Sequence, residues 1–296
     1  MSTVPLSAGA PPADPPRHTL VRRHGALVRL SHWINVLCLA ILLMSGAQIF
    51  NAHPRLYWGA YGADYDAAAI EIASLRGATG WQGELRLGTW RIPATGVLGA
   101  SREGASIVPR AFPTWLTLPS YRDLGTGRRW HFFWAWVFVV NGLVYLANGF
   151  VRRHFTRDLV PTRGDLAPRH LWHEIRTHAR LQFPRGEAAR RYNVLQQLTY
   201  LVVIFVLLPL MVLSGLAMSP GMDAAFHFLP DAFGGRPSAR TVHFISASLL
   251  VAFFVVHVAM VIASGLWNNL RSMITGRYAI EIAPPPAGAP HQEDTP

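Results

Sequence analysis

The chain has 296 residues, of which 51% are hydrophobic and only 15% are charged. Soluble globular proteins carry about 25% charged residues, so this composition favours a membrane protein. The net charge of +11 comes from 27 basic residues, all arginine; they lie beside apolar segments and so indicate membrane topology rather than nucleic-acid binding. The single cysteine, Cys38, excludes an internal disulfide and a cysteine-ligated iron–sulfur cluster. No C-x-x-C-H, G-x-G-x-x-G or P-loop motif occurs, which excludes covalent haem c and gives no sign of a dinucleotide or nucleotide site.

Both ends of the chain lack an apolar core. Residues 1–20 are predicted to be a disordered leader, and not a signal peptide, because no basic segment leads directly into an apolar one. Residues 278–296 are predicted to be a disordered tail. We expect residues 21–277 to form one membrane domain.

Four long apolar runs occupy this domain, and each is free of aspartate, glutamate and arginine. Each run has at least the roughly 20 residues that a helix needs to cross the hydrocarbon core. The runs are Leu30–Phe50, Trp130–Val151, Leu195–Ser219 and Val242–Trp267. They predict an all-α membrane protein, a four-transmembrane-helix bundle with a long extracytoplasmic loop between helices 1 and 2.

Arginine placement predicts the orientation of this bundle. Residues 152–191 hold ten arginines against four acidic residues, and four more arginines precede the first run. Residues 51–127 hold seven arginines and six acidic residues, and residues 220–239 hold one and two. By the positive-inside rule, both termini and the 152–191 loop are cytoplasmic, while residues 51–127 form an extracytoplasmic cap. In a bacterium this places the protein in the inner membrane with its cap in the periplasm.

Two connecting segments are expected to have structure of their own. The 51–127 cap is long for a connector and rich in Gly, Pro and Trp, so it either contacts a partner or is a purely structural cover. Residues 165–181 place Leu166, Trp172, Ile175 and Ala179 at helical spacing among histidines and arginines. This pattern predicts an amphipathic helix on the cytoplasmic membrane surface.

Four of the 13 histidines fall in the apolar runs, where ionisable residues are costly and usually functional. They are His32, His131, His243 and His257. The last two are 14 residues apart, which separates them by about 21 Å along a helix and keeps them within roughly 40° of one face. A single buried histidine is more often structural, but four histidines at two depths predict metal ligands.

Topology predicts how these histidines pair. His131 and His243 lie near the starts of two helices that run inward, so they share an outer level. His32 lies near the cytoplasmic start of the first helix and His257 in the cytoplasmic half of the fourth, so they share an inner level. A b-type haem that only transfers electrons takes two axial ligands, so the two pairs predict two haems b.

An arginine stands three residues before three of these histidines, one helical turn nearer the water. These residues, Arg29, Arg128 and Arg240, are candidate partners of haem propionates because a guanidinium group binds a carboxylate in bidentate fashion. For Arg29 an ordinary positive-inside flank is an equal alternative. On the outer side the positive-inside rule predicts few arginines, which favours the propionate role for the other two.

Small residues inside the spans permit close approach of helices or of a flat macrocycle. Packing in lipid is the commoner role of such residues, so none of them is given a ligand role. They are Ser45, Gly46, Gly142, Ser214, Gly215 and Ser246.

Four sequence blocks resemble one known family. They are RLSHW (29–33), RRWHFF (128–133), YNVLQQ (192–197) and HFISASLLVAFFVVH (243–257). They resemble the four-helix cytochrome b subunits of bacterial formate dehydrogenases, nickel–iron hydrogenases and thiosulfate reductases, over residues 30–50 and 128–277. The resemblance implies two haems b at the four histidines, and electron transfer between a periplasmic catalytic subunit and quinone.

The resemblance also implies a quinone pocket beside the inner haem, at the position of Asn193. This residue and Gln197 are four apart at the cytoplasmic start of the third helix, where an amide can donate to a quinone carbonyl. The alternative for Asn193 is a helix N-cap. The long cap departs from the short connector of formate dehydrogenase subunits and is more similar to relatives encoded with sulfite-oxidase-like molybdenum enzymes.

The leading prediction is therefore an electron-transfer subunit. Its expected partners are a periplasmic molybdopterin enzyme or hydrogenase, quinone and membrane lipid, and not nucleic acid. One alternative is a stand-alone transmembrane haem reductase that serves an extracytoplasmic acceptor, and another is a transporter that uses the histidines as a proton relay. The weakest alternative is a metal site at His170, His173, Glu174 and His178, which are expected to face solvent or lipid headgroups.

Overall fold

The structure is a computed structural model that describes residues 17–63, 66–78, 80–180, 182 and 193–282. Most of the predicted leader and tail, and Tyr192 of the third sequence block, lie outside the described residues.

The described chain is mostly helical, with short strands at its ends and between the first two long helices. The helices are α1 (Ala26–Phe50), α2 (Leu124–Val151), α3 (Pro168–Ala179), α4 (Val194–Val202), α5 (Leu208–Ala217), α6 (Pro220–Ala225), α7 (Phe228–Ala232), α8 (Arg236–Ala263) and α9 (Leu266–Thr275). The strands are β1 (Arg17–Arg22), β2 (Arg55–Leu56), β3 (Ile70–Gly77), β4 (Gly80–Leu87), β5 (Trp90–Pro93), β6 (Ala100–Glu103), β7 (Ser106–Pro109) and β8 (Arg277–Ile282). A short 3₁₀ helix (Thr114–Leu116) and two π-helical turns (Phe155–Leu159 and Val203–Leu207) complete the elements.

Four helices are long and apolar enough to cross a membrane, as the sequence predicts. They are α1, α2, α8 and a third span, Val194–Ala217, in which the π-helical turn Val203–Leu207 joins α4 to α5. The protein is therefore a multi-pass membrane protein.

The helix ends differ from the ends of the apolar runs. α1 begins at Ala26 and α2 at Leu124, each ahead of the arginines that bound its apolar run, Arg29 and Arg128–Arg129. The carboxylate of Asp123 caps α2 by accepting the Thr126 N–H at 2.9 Å, which satisfies one of the free amides of the first turn.

The fourth transmembrane helix was expected to reach Trp267, but α8 ends at Ala263 because Gly265 turns the chain with a φ of 112°.

The spans form two antiparallel helix hairpins. α1 packs against α2, and the third span packs against α8, while the described parts of the two hairpins contact each other sparsely along the spans. A buried amide joins the first hairpin, because Asn141 Nδ2 donates to Ser31 O at 3.0 Å and to Asn35 Oδ1 at 2.7 Å. The interior of the bundle is therefore a gap between two internally packed hairpins.

The two described ends of the chain pair with each other. β1 and β8 form an antiparallel sheet in which Arg17 is opposite Ile282 and Arg22 is opposite Arg277. Residues 17–20 and 278–282, which the sequence assigns to a disordered leader and tail, belong to this sheet instead. The pairing joins segments about 260 residues apart, so neither segment carries a local signal for it. We call this end of the bundle, where α1 begins, the terminal end.

At the other end, residues 51–123 between α1 and α2 form a β-rich cap. Strands β2, β3, β4 and β5 make an antiparallel sheet, and β6 pairs with β7. The description as all-α therefore holds for the bundle but not for the cap, whose short strands lie among glycine- and proline-rich turns. We call the end of the bundle that carries these residues the cap end.

The cap has an apolar cluster and an ion-pair cluster. Phe50, Leu56, Ile72 and Ala111 are buried together. On the β3–β4 sheet, the Glu71 carboxylate accepts from Arg55 Nε at 2.8 Å, and Arg86 donates to it at 3.0 Å. Burial raises the pKa of Glu71, but these two hydrogen bonds outweigh burial and hold the pKa below its usual value.

The cap also contacts the fourth span beside His243. The Thr241 hydroxyl donates to Tyr57 O at 2.6 Å, and the Ser238 hydroxyl accepts from the Gly59 N–H at 2.7 Å. The Phe50 and Phe244 rings stack with centroids 4.8 Å apart. These contacts fasten α8 to the first hairpin at the cap end.

Between the second and third spans, α3 is the predicted amphipathic helix. It has no buried residue, and Trp172 and Ile175 are exposed. An apolar face that protein does not cover fits a helix that lies on a membrane surface.

Candidate functional site

His131 on α2 and His243 on α8 face each other across the gap at the cap end. Their ring centroids are 6.3 Å apart and the ring planes are inclined by 63°. The described structure has no hydrogen bond between the two rings. The structure thus brings together the two histidines that the sequence assigns to one level, from two different hairpins.

Each of these rings is held by a serine on the neighbouring helix of its own hairpin. Ser45 Oγ lies 3.0 Å from His131 Nδ1, and Ser214 Oγ lies 3.0 Å from His243 Nδ1. Both serines are fully buried. The Met211 carbonyl also lies 3.1 Å from His243 Nδ1.

The residue after each serine is a glycine that leaves room for the ring. A Cβ on Gly46 would lie 3.4 Å from His131 Cε1, and a Cβ on Gly215 would lie 3.3 Å from His243 Cε1. A larger side chain at either position would press on the imidazole. The two Ser-Gly pairs therefore fix the position of both cap-end rings.

His32 on α1 and His257 on α8 face each other nearer the terminal end. Their ring centroids are 6.5 Å apart and the planes are inclined by 54°. His257 stacks on Phe253 with centroids 5.7 Å apart. His32 Nδ1 is buried and has no hydrogen-bond partner among the described residues.

These arrangements fit a haem iron at each level. Iron held by two imidazole nitrogens at roughly 2 Å each, the usual metal–imidazole bond length, separates the ring centroids by about 6 Å. Both pairs have this separation. Both pairs also span the gap between the hairpins, where a flat macrocycle does not compete with direct helix packing. The ligand role of the four histidines stays a prediction that this geometry fits.

The three candidate propionate arginines have different surroundings. Arg240 donates to His53 O and lies 5.5 Å above the Phe50 ring. Arg128 is exposed and lies 5.6 Å above the ring of Phe132, one turn along its own helix.

Arg29 is committed to the terminal end of the fold. Its guanidinium donates to Ile274 O in the last turn of α9, and its Nε is buried without a partner among the described residues. Its neighbour Trp33 donates its indole N–H to Met273 O at 3.1 Å. The first span is thereby joined to α9 one turn before His32.

His24, just outside the first span, is a further histidine at the terminal end. Burial, and then the nearby charges of Arg23 and of His32, lower the pKa of His24 to about 4. The His24 imidazole is therefore neutral at neutral pH.

The two candidate quinone residues are both hydrogen-bonded within the protein. Asn193 caps α4: its Oδ1 accepts the Gln196 N–H at 2.9 Å, and its Nδ2 lies 2.8 Å from His178 Nε2 of α3. Gln197 Nε2 donates to Asp158 O at 3.2 Å. The N-cap role is thus present in the structure, and the quinone role stays a prediction.

Sequence reasoning missed two features of the site. It assigned the Ser-Gly pairs to packing, although each serine contacts a histidine; the repeat of Ser-Gly on both ascending helices was the available signal. It also missed the link between Asn35 and Asn141, two amides in apolar runs.

Within the described residues no group of three or more His, Cys, Asp or Glu side chains is placed to hold a metal ion, and this includes His170, His173, Glu174 and His178.

Comparisons with known proteins agree with this architecture. A family model described as prokaryotic cytochrome b561 matches residues 23–276. A protein of Azospira oryzae, proposed to be a protein-methionine-sulfoxide reductase subunit and named YedZ1, is 27% identical over 238 residues. The match covers 80% of this chain and 89% of that protein. No solved structure matches the chain.

Proposed function

The chain belongs to the prokaryotic cytochrome b561 family, and on that basis we propose that it is a two-haem electron-transfer subunit of a bacterial inner-membrane complex. The family itself implies a membrane protein that binds haem b and transfers electrons. The number of haems, their ligands, the partner enzyme and the quinone are the finer parts of the proposal.

The observation that carries the proposal is the pair of histidine couples across the gap, with centroids 6.3 Å and 6.5 Å apart. His131 and His243 hold the cap-end haem, and His32 and His257 hold the terminal-end haem. Haem supplies one-electron oxidation and reduction at each level. The continuous helix α8 carries one ligand of each couple and sets an axial separation of about 21 Å between them.

The arginines supply positive charge beside these couples. Arg128 and Arg240 each stand one turn closer to the cap end than a histidine ligand, where they neutralise propionate carboxylates. Arg29 does the same at the terminal end with its buried Nε, which has no partner among the described residues, while its Nη1 donates to α9.

The predicted orientation places the cap in the periplasm and the termini in the cytoplasm. The boundaries that follow are a membrane domain over 21–277, with the 51–127 cap outside and the 152–191 loop inside. The partner is a periplasmic oxidoreductase of the molybdopterin or hydrogenase kind. The name of the Azospira relative supports such a partner and points to a sulfoxide reductase.

Quinone is the second redox partner in this proposal. Conversion between quinone and quinol transfers two electrons and two protons, so the site must reach cytoplasmic water as well as the inner haem. Asn193 and Gln197 lie at the start of the third span, at the terminal end, which supports a site there.

Haem content of a ligand variant tests the proposal. Wild-type protein should contain two haems b per chain by the pyridine haemochrome assay. His243→Ala should lose the cap-end haem and keep the other, because His32 and His257 are untouched. His227→Ala, at an exposed histidine on the cap-end side of the chain, is the matched control and should keep both. Two haems at full occupancy in His243→Ala would contradict the ligand assignment.

A further inference from the structure

The cap-end level is built from two copies of one local pattern. In each hairpin the ascending helix carries Ser-Gly, and the descending helix carries Arg-x-x-His-Phe. The copies are Ser45-Gly46 with Arg128 to Phe132, and Ser214-Gly215 with Arg240 to Phe244. The serine–imidazole distance is 3.0 Å in both copies. Equal geometry in two unrelated stretches of sequence indicates a common task.

The hydrogen bonds of each serine fix which imidazole nitrogen carries the proton. Ser45 Oγ lies 2.7 Å from Ile41 O, and Ser214 Oγ lies 2.6 Å from Leu210 O. A carbonyl oxygen can only accept, so each hydroxyl donates its proton to the helix backbone and offers its lone pairs to the ring. The imidazole Nδ1 must then be the donor to the serine.

A second acceptor gives the same answer independently of the serines. The Met211 carbonyl lies 3.1 Å from His243 Nδ1. Since a carbonyl cannot donate, Nδ1 is protonated in the His243 ring, and the matching serine contact assigns the same tautomer to His131. In a neutral imidazole, Nε2 then keeps the free lone pair that a metal requires.

We propose that Ser45 and Ser214 are positioning residues for the cap-end haem, which hold the Nδ1 protons of His131 and His243 so that both rings present Nε2 to iron. This proposal rests on the proposed haem site at that level. Acceptors at Nδ1 also raise the basicity of the ligand nitrogen, which stabilises ferric iron and lowers the reduction potential. The two serines would act on the same haem, each through the histidine of its own hairpin.

The terminal-end level lacks an equivalent contact at His32. Its Nδ1 is buried and has no partner among the described residues. On the first span, His32 stands 13 residues before Ser45. The matching position on the third span, 13 residues before Ser214, is Leu201 and not a histidine. The two-copy pattern of the cap-end level is therefore absent at the terminal-end level. Changes at the two serines should therefore affect one haem and leave the other as an internal reference.

The test is a potentiometric titration of the purified full chain, followed by visible absorption and by electron paramagnetic resonance of the ferric haems. Ser45→Ala and Ser214→Ala should each keep two haems and raise the potential of the cap-end haem. We expect a threefold to tenfold change in the reduced-to-oxidised ratio at a fixed potential, which is about 30–60 mV at 59 mV per tenfold. The two shifts should be similar, and the other haem should be unchanged.

Ser248→Ala is the matched control. Ser248 lies on the same helix as His243 and donates to Phe244 O at 2.9 Å, so it has the same backbone hydrogen bond without a histidine contact. Its removal should move neither potential.

Ser45→Cys and Ser214→Cys cover the case in which an alanine variant loses the cap-end haem. Cysteine keeps the side-chain size but is a weak hydrogen-bond partner, so it separates packing from hydrogen bonding. A shifted cap-end potential in the cysteine variants supports the proposal. Unshifted potentials and unchanged ferric spectra in haem-replete serine variants would overturn it, and a wild type without a cap-end haem would overturn the proposed function instead.

Discussion

Asn193 uses the two polar atoms of its side chain for two different contacts. Its carbonyl oxygen caps α4, while its amide nitrogen is directed to His178 of the surface helix α3. The cap needs only an oxygen acceptor, and a quinone needs the amide donor. The two roles can therefore be separated by substitution.

We predict that Asn193→Ser slows quinone reduction without destabilising the protein, because serine keeps the N-cap but has no amide. Asn193→Ala should slow quinone reduction and also lower stability by about 1 kcal/mol, the usual value of an N-cap. The measurements are stopped-flow oxidation of the reduced protein by a soluble quinone analogue and thermal unfolding in detergent. Quinone kinetics at the wild-type rate in Asn193→Ser would leave this residue as a helix cap alone.

At this scale the sequence predicted which histidines meet, but not what holds them. The partnership of His243 with His131 follows from helix direction and depth alone. The hydroxyl contacts of Ser45 and Ser214 depend on side-chain rotation and helix packing, which no spacing rule contains. Likewise the sequence offered Arg29 equally as a propionate partner or as a positive-inside flank, and neither alternative contains its bond to Ile274 O, which joins residues 245 positions apart.

Among the elements, the second and third spans meet through two π-helical turns near the terminal end. Phe155 lies in one turn and Phe205 in the other, and their rings contact edge to face with centroids 5.1 Å apart. Tyr145 and Phe150 pack on the same cluster. Tyr145 follows His131 by 14 residues, as His257 follows His243, so aromatic packing occupies the place where the repeat would otherwise continue.

Gly149 is the residue that lets this aromatic cluster form. A Cβ there would lie 2.4 Å from Phe155 Cε2, closer than any real contact. We predict that Gly149→Ala lowers the unfolding temperature in detergent, at a cost of about 1–3 kcal/mol for overpacking. Gly142→Ala is the control on the same helix, since nothing lies within 4 Å of its added Cβ. Equal unfolding temperatures for the two variants would contradict the predicted overpacking at position 149.

The elements themselves were predictable to different degrees. Hydrophobic runs gave the four spans because lipid demands about 20 apolar residues in each. They missed the first turns of α1 and α2, because each run was ended at the nearest arginine, although both helices continue past it. The β1–β8 sheet pairs segments far apart along the chain, so it has no local sequence signal. The composition of the cap predicted ordered structure there but not its strands, which are short and lie among turns.

The molecule as a whole is two helix hairpins fastened at both ends around a central gap. At the cap end, Thr241 and Ser238 of α8 bond to the cap. At the terminal end, the β1–β8 sheet closes the chain, and α9 is bonded to the start of α1. This construction holds facing histidines at two levels, with few direct contacts between the two hairpins along the spans.

The central claim is that this gap holds two haems, one at each level. The most direct measurement is a dithionite-reduced minus oxidised spectrum of the purified protein from haem-supplied membranes, together with haem quantitation by the pyridine assay. The account predicts the α-band of haem b with two histidine ligands and two haems per chain. A correctly inserted protein that is colourless, or that holds a single haem, would contradict it.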